Sequence, residues 1–308
     1  MNLLIWKVFT HSMLLGLGFL ISLGSMAQPL EFIENADQIK LYDGGRHIFS
    51  FQKTTISQNG DFFRANYIHP LNDFQGSMLT EDFPPDHPHH RGVFWAWHQL
   101  YLDGESVADL WECRNVIWKV KDVHHQVWND RATMSASVDW IIGENNRKVL
   151  NEKVSLTYHH AQGFYTLDFE INLRSQSDGL ELGGSVDEKG YGGFSPRLNL
   201  SDQVDFFGAH GKVVPQNDMV QAGNWVAIRG IGVNNVTLAI MYHPLSSASL
   251  QGWILRSKGS MQNAAWPGRE RVVMNKGDKE DMKVRMVVFE ESATQEVVQQ
   301  IFEEYVQH

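Results

Sequence analysis

Three segments of the sequence alternate apolar and polar residues with a period of two. They read TMSASVDWII at 133–142, KVSLTYH at 153–159 and YTLDFEINL at 165–173. Successive side chains of an extended chain point to opposite faces, so this period predicts antiparallel strands with one face buried and the other in water. The alternation therefore predicts an all-β architecture.

Short turns rich in glycine, asparagine and aspartate separate the predicted strands. They are YDGG at 42–45, QNGD at 58–61, LDGE at 102–105, AQG at 161–163 and NKGD at 275–278. These residue types reverse the chain because they tolerate turn geometry. Many strands joined by turns are typical of a β-sandwich or jelly roll. The sequence contains no linker, so residues 28–308 are predicted to form a single antiparallel β-sandwich domain.

The final segment, SATQEVVQQIFEEYVQ, has a helical pattern. Ser292 and Gln295 have the spacing of a capping box, in which two side chains bond the free N–H groups at a helix start. An apolar stripe follows at helical spacing, and it consists of Val297, Val298, Ile301, Phe302 and Tyr305. A C-terminal helix over residues 292–306 is therefore expected to close the sandwich.

The N-terminus has the layout of a secretory signal peptide. Residues 1–12 carry one lysine and no acid, an apolar run covers 13–23, and SMA at 25–27 places small residues before Gln28. The apolar run is too short for a comfortable membrane span. Removal of residues 1–27 is expected, with export of the mature protein to the periplasm or the medium and no membrane anchor left on it.

The charge balance narrows the range of partners. The formal net charge is −10, and loss of residues 1–27, which carry one lysine and no acid, makes it −11. A chain this acidic is not expected to bind nucleic acid or anionic membranes, because it has no excess of basic side chains to neutralise phosphates. An acidic oligosaccharide needs only a local basic pocket. The single cysteine, Cys113, cannot form an internal disulfide and is expected to be buried.

One stretch, DFPPDHPHHRGVFWAWH at 82–98, concentrates titratable side chains. It holds four histidines and three prolines. Prolines restrict the backbone and push each preceding residue toward extended geometry. In an extended segment His87 and His89 share one side and His90 faces the other. The stretch is a metal site, an acid/base site, or a turn whose histidines only fill hydrogen bonds.

A bound divalent metal ion is one of these alternatives, and it would be the only cofactor. Asp86, His87 and His89 are the candidate ligands in this stretch. His69 and His243, each in an HPL triplet, are further candidates from elsewhere in the chain. Metal binding requires neutral imidazoles or carboxylates that converge on one ion. No HExxH or comparable spacing supports the metal, so it stays an open alternative.

A second candidate segment is GYGGFSPRLN at 190–199. Its glycines let the backbone approach a ligand closely or form a bulge. Counting by two, Arg197 lies on the same face as Tyr191, and an arginine there can clamp a carboxylate through two hydrogen bonds. Residues 86–91 and 189–197 are therefore predicted to converge on one pocket, with His69 and His243 near its rim.

The segments 64–100, 190–199 and 241–247 together resemble a bacterial family that carries the label methane-oxygenase-like, or PmoA-related. The PPDHPHHRG motif at 84–92 is the most specific part of this similarity. A methane monooxygenase subunit spans the membrane several times, whereas this chain has no span left after the predicted cleavage. The resemblance instead implies a secreted β-sandwich protein that accompanies polysaccharide-degrading enzymes. It implies elimination of water from uronic-acid oligosaccharides, as in breakdown of the algal polysaccharide ulvan.

The resemblance and the residues together predict a dehydratase that acts on the non-reducing uronic acid of an oligosaccharide. Arg197 or Arg91 would stabilise the charge of the uronate carboxylate. His87 or His90 would remove the carbon-bound proton, and Tyr191 or the second histidine would protonate the departing hydroxyl. The residues expected to contact substrate are Arg91, His69, Trp95, Trp97 and His243.

Two other classes of function stay open. A non-catalytic carbohydrate-binding β-sandwich would use Trp95 and Trp97 as stacking platforms, although either indole is also a natural core residue. A glycoside hydrolase or polysaccharide lyase is the other class. A hydrolase needs two carboxylates that face each other across a cleft, and Glu112, Asp109 and Asp86 are the candidates.

Overall fold

The computed structural model describes residues 29–307. The predicted signal peptide, residues 1–27, lies outside the described residues, so cleavage and export stay predictions. Among the described residues, no helix is long and apolar enough to cross a membrane.

The described chain forms 23 strands and one helix. The first strands are β1 (Glu31–Glu34), β2 (Gln38–Asp43), β3 (Arg46–Gln52), β4 (Ile56–Gln58), β5 (Asp61–Arg64) and β6 (Tyr67–Leu71). Then come β7 (Val93–Trp97), β8 (Gln99–Leu102), β9 (Glu105–Ala108), β10 (Val116–Val127), β11 (Arg131–Ile142) and β12 (Arg147–Ala161). They are followed by β13 (Phe164–Ser175), β14 (Leu180–Gly183), β15 (Gly192–Pro196), β16 (Leu200–Gly208), β17 (Gly211–Val213) and β18 (Trp225–Ile231). The last elements are β19 (Val236–Tyr242), β20 (Gly252–Ile254), β21 (Asn263–Ala265), β22 (Val272–Met274), β23 (Lys279–Phe289) and α1 (Gln295–Tyr305).

Two large antiparallel sheets dominate the fold. One has eight strands in the order β1-β2-β3-β6-β7-β15-β21-β20, and the other has nine in the order β10-β11-β12-β13-β23-β19-β18-β16-β17. A four-stranded sheet, β22-β14-β8-β9, and the hairpin β4-β5 complete the structure. Side chains of the two large sheets pack on each other, since the Trp97 ring lies 5.7 Å from Trp140 and the Trp95 ring 6.3 Å from Phe169. The predicted all-β antiparallel sandwich is confirmed.

The alternating segments form the strands that they predict. Residues 133–142 lie in β11, 153–159 in β12 and 165–173 in β13, three consecutive neighbours of the nine-stranded sheet. Their apolar side chains are buried at every second position against the eight-stranded sheet. Burial of one face at each second residue is therefore what holds these long strands in register.

The C-terminal helix begins later than predicted. Thr294 is the N-cap, and its hydroxyl accepts a hydrogen bond of 3.4 Å from the Val297 N–H. The predicted capping box of Ser292 and Gln295 is wrong, because Gln295 lies in the first turn and its amide donates to the Ala209 carbonyl instead. The apolar stripe buries Val298, Ile301 and Tyr305 against the nine-stranded sheet, whereas Val297 is exposed.

A carboxyl group lies fully buried between the sheets. Glu152, on β12, accepts hydrogen bonds of 2.9 Å from the Trp95 indole N–H, the Trp140 indole N–H and the Asn66 amide. Burial raises the pKa of Glu152 to about 7, because loss of water outweighs the three donors and the charge of Arg64, which favour the ionised form. The core therefore contains a group that titrates near neutral pH.

Cys113 differs from expectation. It is only partly buried and lies in the loop between β9 and β10, where its φ of 58° places it in the left-handed region. From this loop the side chain packs against the core without being enclosed by it.

Candidate active site

The histidine-rich segment folds as two consecutive turns. The His87 N–H donates to the Pro84 carbonyl at 3.1 Å, and the His90 N–H donates to the His87 carbonyl at 2.9 Å. Pro85 and Pro88 occupy the second position of these turns, which proline favours because its φ is preset. The prediction of an extended segment is wrong. His87 and His90 lie on the same side with parallel rings 4.7 Å apart.

The turns open onto a pocket of about 280 Å³ on the face of the eight-stranded sheet that points away from the other large sheet. On β7, Trp95 and Trp97 point into the sandwich, so Phe94 and Ala96 point outward. The Phe94 ring lies 6.0 Å from His90 and 5.4 Å from Trp111. The pocket walls include His87, His89, His90, His98, Trp111 and Tyr191.

Trp111 is the central contact of the pocket. Its ring centroid lies 5.8 Å from His90, 5.3 Å from His98 and 5.6 Å from Tyr191. Its backbone N–H donates to the Trp97 carbonyl at 3.0 Å, which anchors the loop after β9 on the sheet. Residues of 86–91 and 189–197 therefore meet in one pocket, as predicted, through an indole that the prediction did not include.

Two of the histidines are each oriented by a carboxylate. The Asp86 carboxylate accepts from His87 Nδ1–H at 2.9 Å, and the Asp109 carboxylate accepts from His98 Nδ1–H at 3.1 Å. A carboxylate at Nδ1 fixes the tautomer in which Nε2 carries the lone pair. His87 and His98 are both partly exposed, so each presents a basic nitrogen to solvent or to a ligand.

The Asp86 carboxyl is held ionised. Burial raises its pKa, but hydrogen bonds from His87 and Arg197 outweigh that effect and lower the pKa to about 2. Asp86 is therefore an anion at neutral pH and accepts the hydrogen bond from His87 Nδ1–H as a carboxylate.

The other two histidines of the pocket are kept neutral. Burial, followed by the neighbouring histidines, lowers the pKa of His90 to about 2, and burial also lowers that of His89 to about 4. Arg197 Nη1–H donates to His90 Nδ1 at 3.3 Å, so the imidazole proton of His90 lies on Nε2. His90 is thereby suited to donate a hydrogen bond and poorly suited to act as the base that the sequence suggested.

Arg197 is buried between two carboxylates of its own chain. Its Nε–H donates to Glu81 at 2.6 Å and its Nη2–H to Asp86 at 2.9 Å, and only 3 % of its side chain is exposed. The prediction that it clamps a substrate carboxylate is therefore wrong, because its charge and its donors are already paired. Its contact with Asp86 makes it a support for the Asp86–His87 pair.

Arg91 is a structural residue. Its side chain has no exposed surface, its Nε–H donates to Asp82 at 2.5 Å, and its Nη1–H donates to the carbonyl of Phe62 at 2.9 Å. The Phe83 ring lies 3.6 Å from the guanidinium carbon. A substrate cannot reach a guanidinium that is enclosed in this way, so the predicted substrate contact of Arg91 is corrected.

The two tryptophans of β7 are core residues as well. Trp95 is 2 % exposed and donates to buried Glu152, while Trp97 is fully buried and donates to the Trp266 carbonyl at 2.7 Å. Neither indole offers a free face on which a sugar ring could stack. The prediction that they bind substrate is wrong, because both side chains point toward the opposite sheet.

The two HPL histidines lie apart from the pocket. His69, on β6, hydrogen-bonds the Thr80 hydroxyl through Nδ1 at 3.0 Å and does not line the pocket. His243 follows β19, where its ring packs edge-on against Tyr305 of α1 at 5.1 Å and its Nδ1 accepts from the Leu245 N–H. The predicted position of His243 at the rim is wrong, because β19 carries it to the helix side of the nine-stranded sheet.

The glycines of 190–193 serve packing between strands. Gly193 has a φ of 100°, and a Cβ there would lie 2.6 Å from the Ala264 carbonyl of β21. The close approach predicted for a ligand is thus made by a neighbouring strand.

Sequence reasoning missed His98 and Trp111, and it considered Glu112 only as a hydrolase carboxylate. His98 follows β7, two and four residues after the outward-facing Ala96 and Phe94, so the alternation already placed it opposite the tryptophans. Trp111 lies in a loop without periodicity and gave no such signal. Glu112 lies 3.6 Å from His89 at the pocket wall.

The candidate metal ligands do not gather around one point. Within residues 29–307, no group of three or more histidine, cysteine, aspartate or glutamate side chains is arranged to hold a metal ion. The Asp86 carboxylate accepts hydrogen bonds from Arg197 and His87. The rings of His87 and His89 lie edge to face, with centroids 5.8 Å apart.

The fold and the pocket define an all-β sandwich with an ionisable site on one sheet. The model of a family of unknown function, DUF6807, matches residues 38–303, and the chain belongs to that family. No curated protein matches the chain. The family match does not bear on the resemblance to methane-oxygenase-like proteins or ulvan dehydratases, which stays a prediction.

Several solved structures are similar to the chain at low identity. A galactose mutarotase related enzyme from Lactobacillus acidophilus is 10% identical with a TM-score of 0.41, covering 84% of this chain and 97% of its own. A galactose mutarotase-like protein from Lactobacillus casei is 10% identical with a TM-score of 0.35, and the match covers 84% of this chain and 99% of that protein. The GH36 α-galactosidase of Geobacillus stearothermophilus is 9% identical with a TM-score of 0.39, and the match covers 84% of this chain and 40% of that protein. At these values the three proteins give no information on the chemistry of this pocket.

Proposed function

We propose that the pocket catalyses dehydration of an acidic sugar, by β-elimination of water at the non-reducing uronic acid of an oligosaccharide. The observation that carries the proposal is the pair of carboxylate-oriented imidazoles, Asp86–His87 and Asp109–His98, on one small pocket. An elimination needs a base and an acid at neutral pH, and histidine supplies either. A pocket of about 280 Å³ suits one or two sugar rings at a chain end better than a long polymer.

His87 is the base in this proposal. Its side chain is 43% exposed, so its Nε2 lone pair is accessible to the carbon-bound proton beside the uronate carboxylate. When that C–H bond breaks, the proton passes to Nε2 and the electron pair forms the new double bond. The Asp86 anion then stabilises the imidazolium, while Arg197 and the parallel His90 ring hold the pair in place.

His98 protonates the leaving group. The C–O bond of the adjacent carbon breaks as the double bond forms, and the departing hydroxyl takes a proton from His98 to leave as water. The Asp109 carboxylate orients the His98 ring through Nδ1–H, so the proton that is donated is the one on Nε2. The Trp111 ring, stacked on His98 at 5.3 Å, fixes the plane of that imidazole. Acid/base assistance of this kind is typically worth about 10²–10⁴-fold per group.

Incubation of the mature protein, residues 28–308, with a panel of uronic-acid oligosaccharides tests the proposal. The expected product is lighter by one water, absorbs in the ultraviolet and keeps its number of sugar rings. Two shorter fragments would instead identify a hydrolase or a chain-cleaving lyase. Binding with no product would identify a carbohydrate-binding protein. Export of the protein, which would bring it to such substrates, is part of the same proposal.

A further inference from the structure

Arg256 lies beside the pocket and, within the described part of the chain, contacts only neutral acceptors. It follows β20, and its Nη1–H and Nη2–H groups donate to the carbonyls of Gln216 at 2.7 Å and Asn217 at 2.9 Å. A further Nη2–H donates to the hydroxyl of Tyr191 at 2.5 Å. All of these acceptors are neutral. Within residues 29–307 no carboxylate forms an ion pair with Arg256, so its positive charge is uncompensated, in contrast to Arg197.

The Tyr191 side chain links Arg256 with the pocket, since it lines the pocket and its hydroxyl contacts Arg256. Because its oxygen accepts a hydrogen bond from Arg256, its own proton points elsewhere, and in the described part of the chain no protein oxygen or nitrogen accepts it. Tyr191 lines the pocket, and its ring packs on Trp111 at 5.6 Å. A second cation, Lys189, lies 5.8 Å from the centroid of the same ring. Lys189 is partly neutralised by Asp187 at 3.6 Å.

An O–H donor with a guanidinium behind it suits an anionic acceptor. A carboxylate oxygen that accepts the Tyr191 proton would lie next to an uncompensated positive charge, which makes the hydrogen bond stronger than a neutral one. A neutral hydroxyl of a sugar would gain much less from the same arrangement. The chemistry therefore selects a ligand with a carboxylate, even though the whole protein is acidic.

We infer that Tyr191 and Arg256 form the carboxylate-binding end of the pocket and make the site selective for sugar acids over neutral sugars. This inference rests on the proposed function for its choice of a sugar as the ligand. It replaces the predicted roles of Arg197 and Arg91, whose charges are paired within the protein. Tyr191 becomes a substrate-binding residue. In the elimination, the same contact stabilises the charge that grows on the carboxylate as the adjacent proton leaves.

Binding of two matched ligands tests the inference without any need for turnover. The probes are the methyl glycoside of a uronic acid and the neutral methyl glycoside of the same stereochemistry, titrated by calorimetry. The intact mature protein is expected to bind the acid about 10- to 100-fold more tightly, as one charge-assisted hydrogen bond gives. Arg256→Gln should remove this preference, and Arg256→Lys should restore part of it.

Tyr191→Phe keeps the contacts of Arg256 with the loop carbonyls and should reduce the preference for the acid without affecting folding. Arg174→Gln, an exposed arginine on β13, is the matched control and should leave both affinities unchanged. An unchanged preference in folded Arg256→Gln would overturn the inference, as would equal binding of the two sugars by the intact protein. If Arg256→Gln loses the preference but the unmodified protein dehydrates no substrate, the inference is supported and the proposed reaction is refuted. If Arg256→Gln keeps the preference and still dehydrates the substrate, the proposed reaction is supported and the inference is refuted.

Discussion

Replacing Glu152 with glutamine should change how stability depends on pH. In the folded protein burial raises the pKa of Glu152 from its ordinary 4.5 to about 7. The folded state therefore holds this proton over a range in which the unfolded chain has lost it. The stabilisation is fully present below pH 4.5 and is lost as the pH rises through 7. At about 1.4 kcal/mol per pKa unit, the difference amounts to about 3 kcal/mol.

The measurement is the free energy of unfolding by urea between pH 4.5 and pH 8, for a protein of residues 28–308 and for its Glu152→Gln variant. The variant also loses one acceptor for the donors of Trp95, Trp140 and Asn66, which costs about 1–3 kcal/mol at every pH. The difference in free energy of unfolding by which the variant is less stable should therefore shrink, or change sign, as the pH rises. A deficit that stays constant from pH 4.5 to pH 8 would refute the account of a proton held in the core.

Three further substitutions address the site and the helix. His87→Ala should lower the turnover number, measured by the ultraviolet absorbance of the product, about 10²–10⁴-fold and leave the melting temperature unchanged. Normal turnover of this variant would show that His87 is not the base. Asp109→Asn should lower kcat about tenfold or more with little change in KM, because His98 loses the carboxylate that orients its ring through Nδ1–H. An effect on KM alone would contradict this. Thr294→Ala should cost about 1 kcal/mol in urea unfolding through loss of the N-cap, and no loss would show that the cap is not needed.

The long strands could be predicted because burial acts on every second residue. In β11, β12 and β13 the opposite sheet enforces that period over many positions, so local sequence carries the information. The helix start could not be placed as well. Ser292 and Thr294 are both good caps, and the choice between them depends on where Ala293 packs against the sheet.

The meeting of residues 86–91 with Tyr191 at one pocket could be predicted, whereas the contacts of the individual side chains could not. Proline at 85 and 88 has nearly the same φ in an extended chain and at the second position of a turn, so the sequence alone did not show that His87 and His90 would stack. The partners of Arg197 lie more than a hundred residues away in the chain. No local pattern shows which arginine meets a carboxylate of its own protein and which, like Arg256, meets none among residues 29–307.

The most direct test of the proposed reaction uses a uronic oligosaccharide with deuterium at the carbon beside the carboxylate of its non-reducing sugar. Elimination by His87 predicts a product of the same ring number that has lost the deuterium together with water, and a slower reaction than with the unlabelled substrate. His87→Ala should form almost none of it, and Arg174→Gln should form as much as the unmodified protein. Retention of the deuterium in the products, with or without cleavage into shorter sugars, would contradict the account.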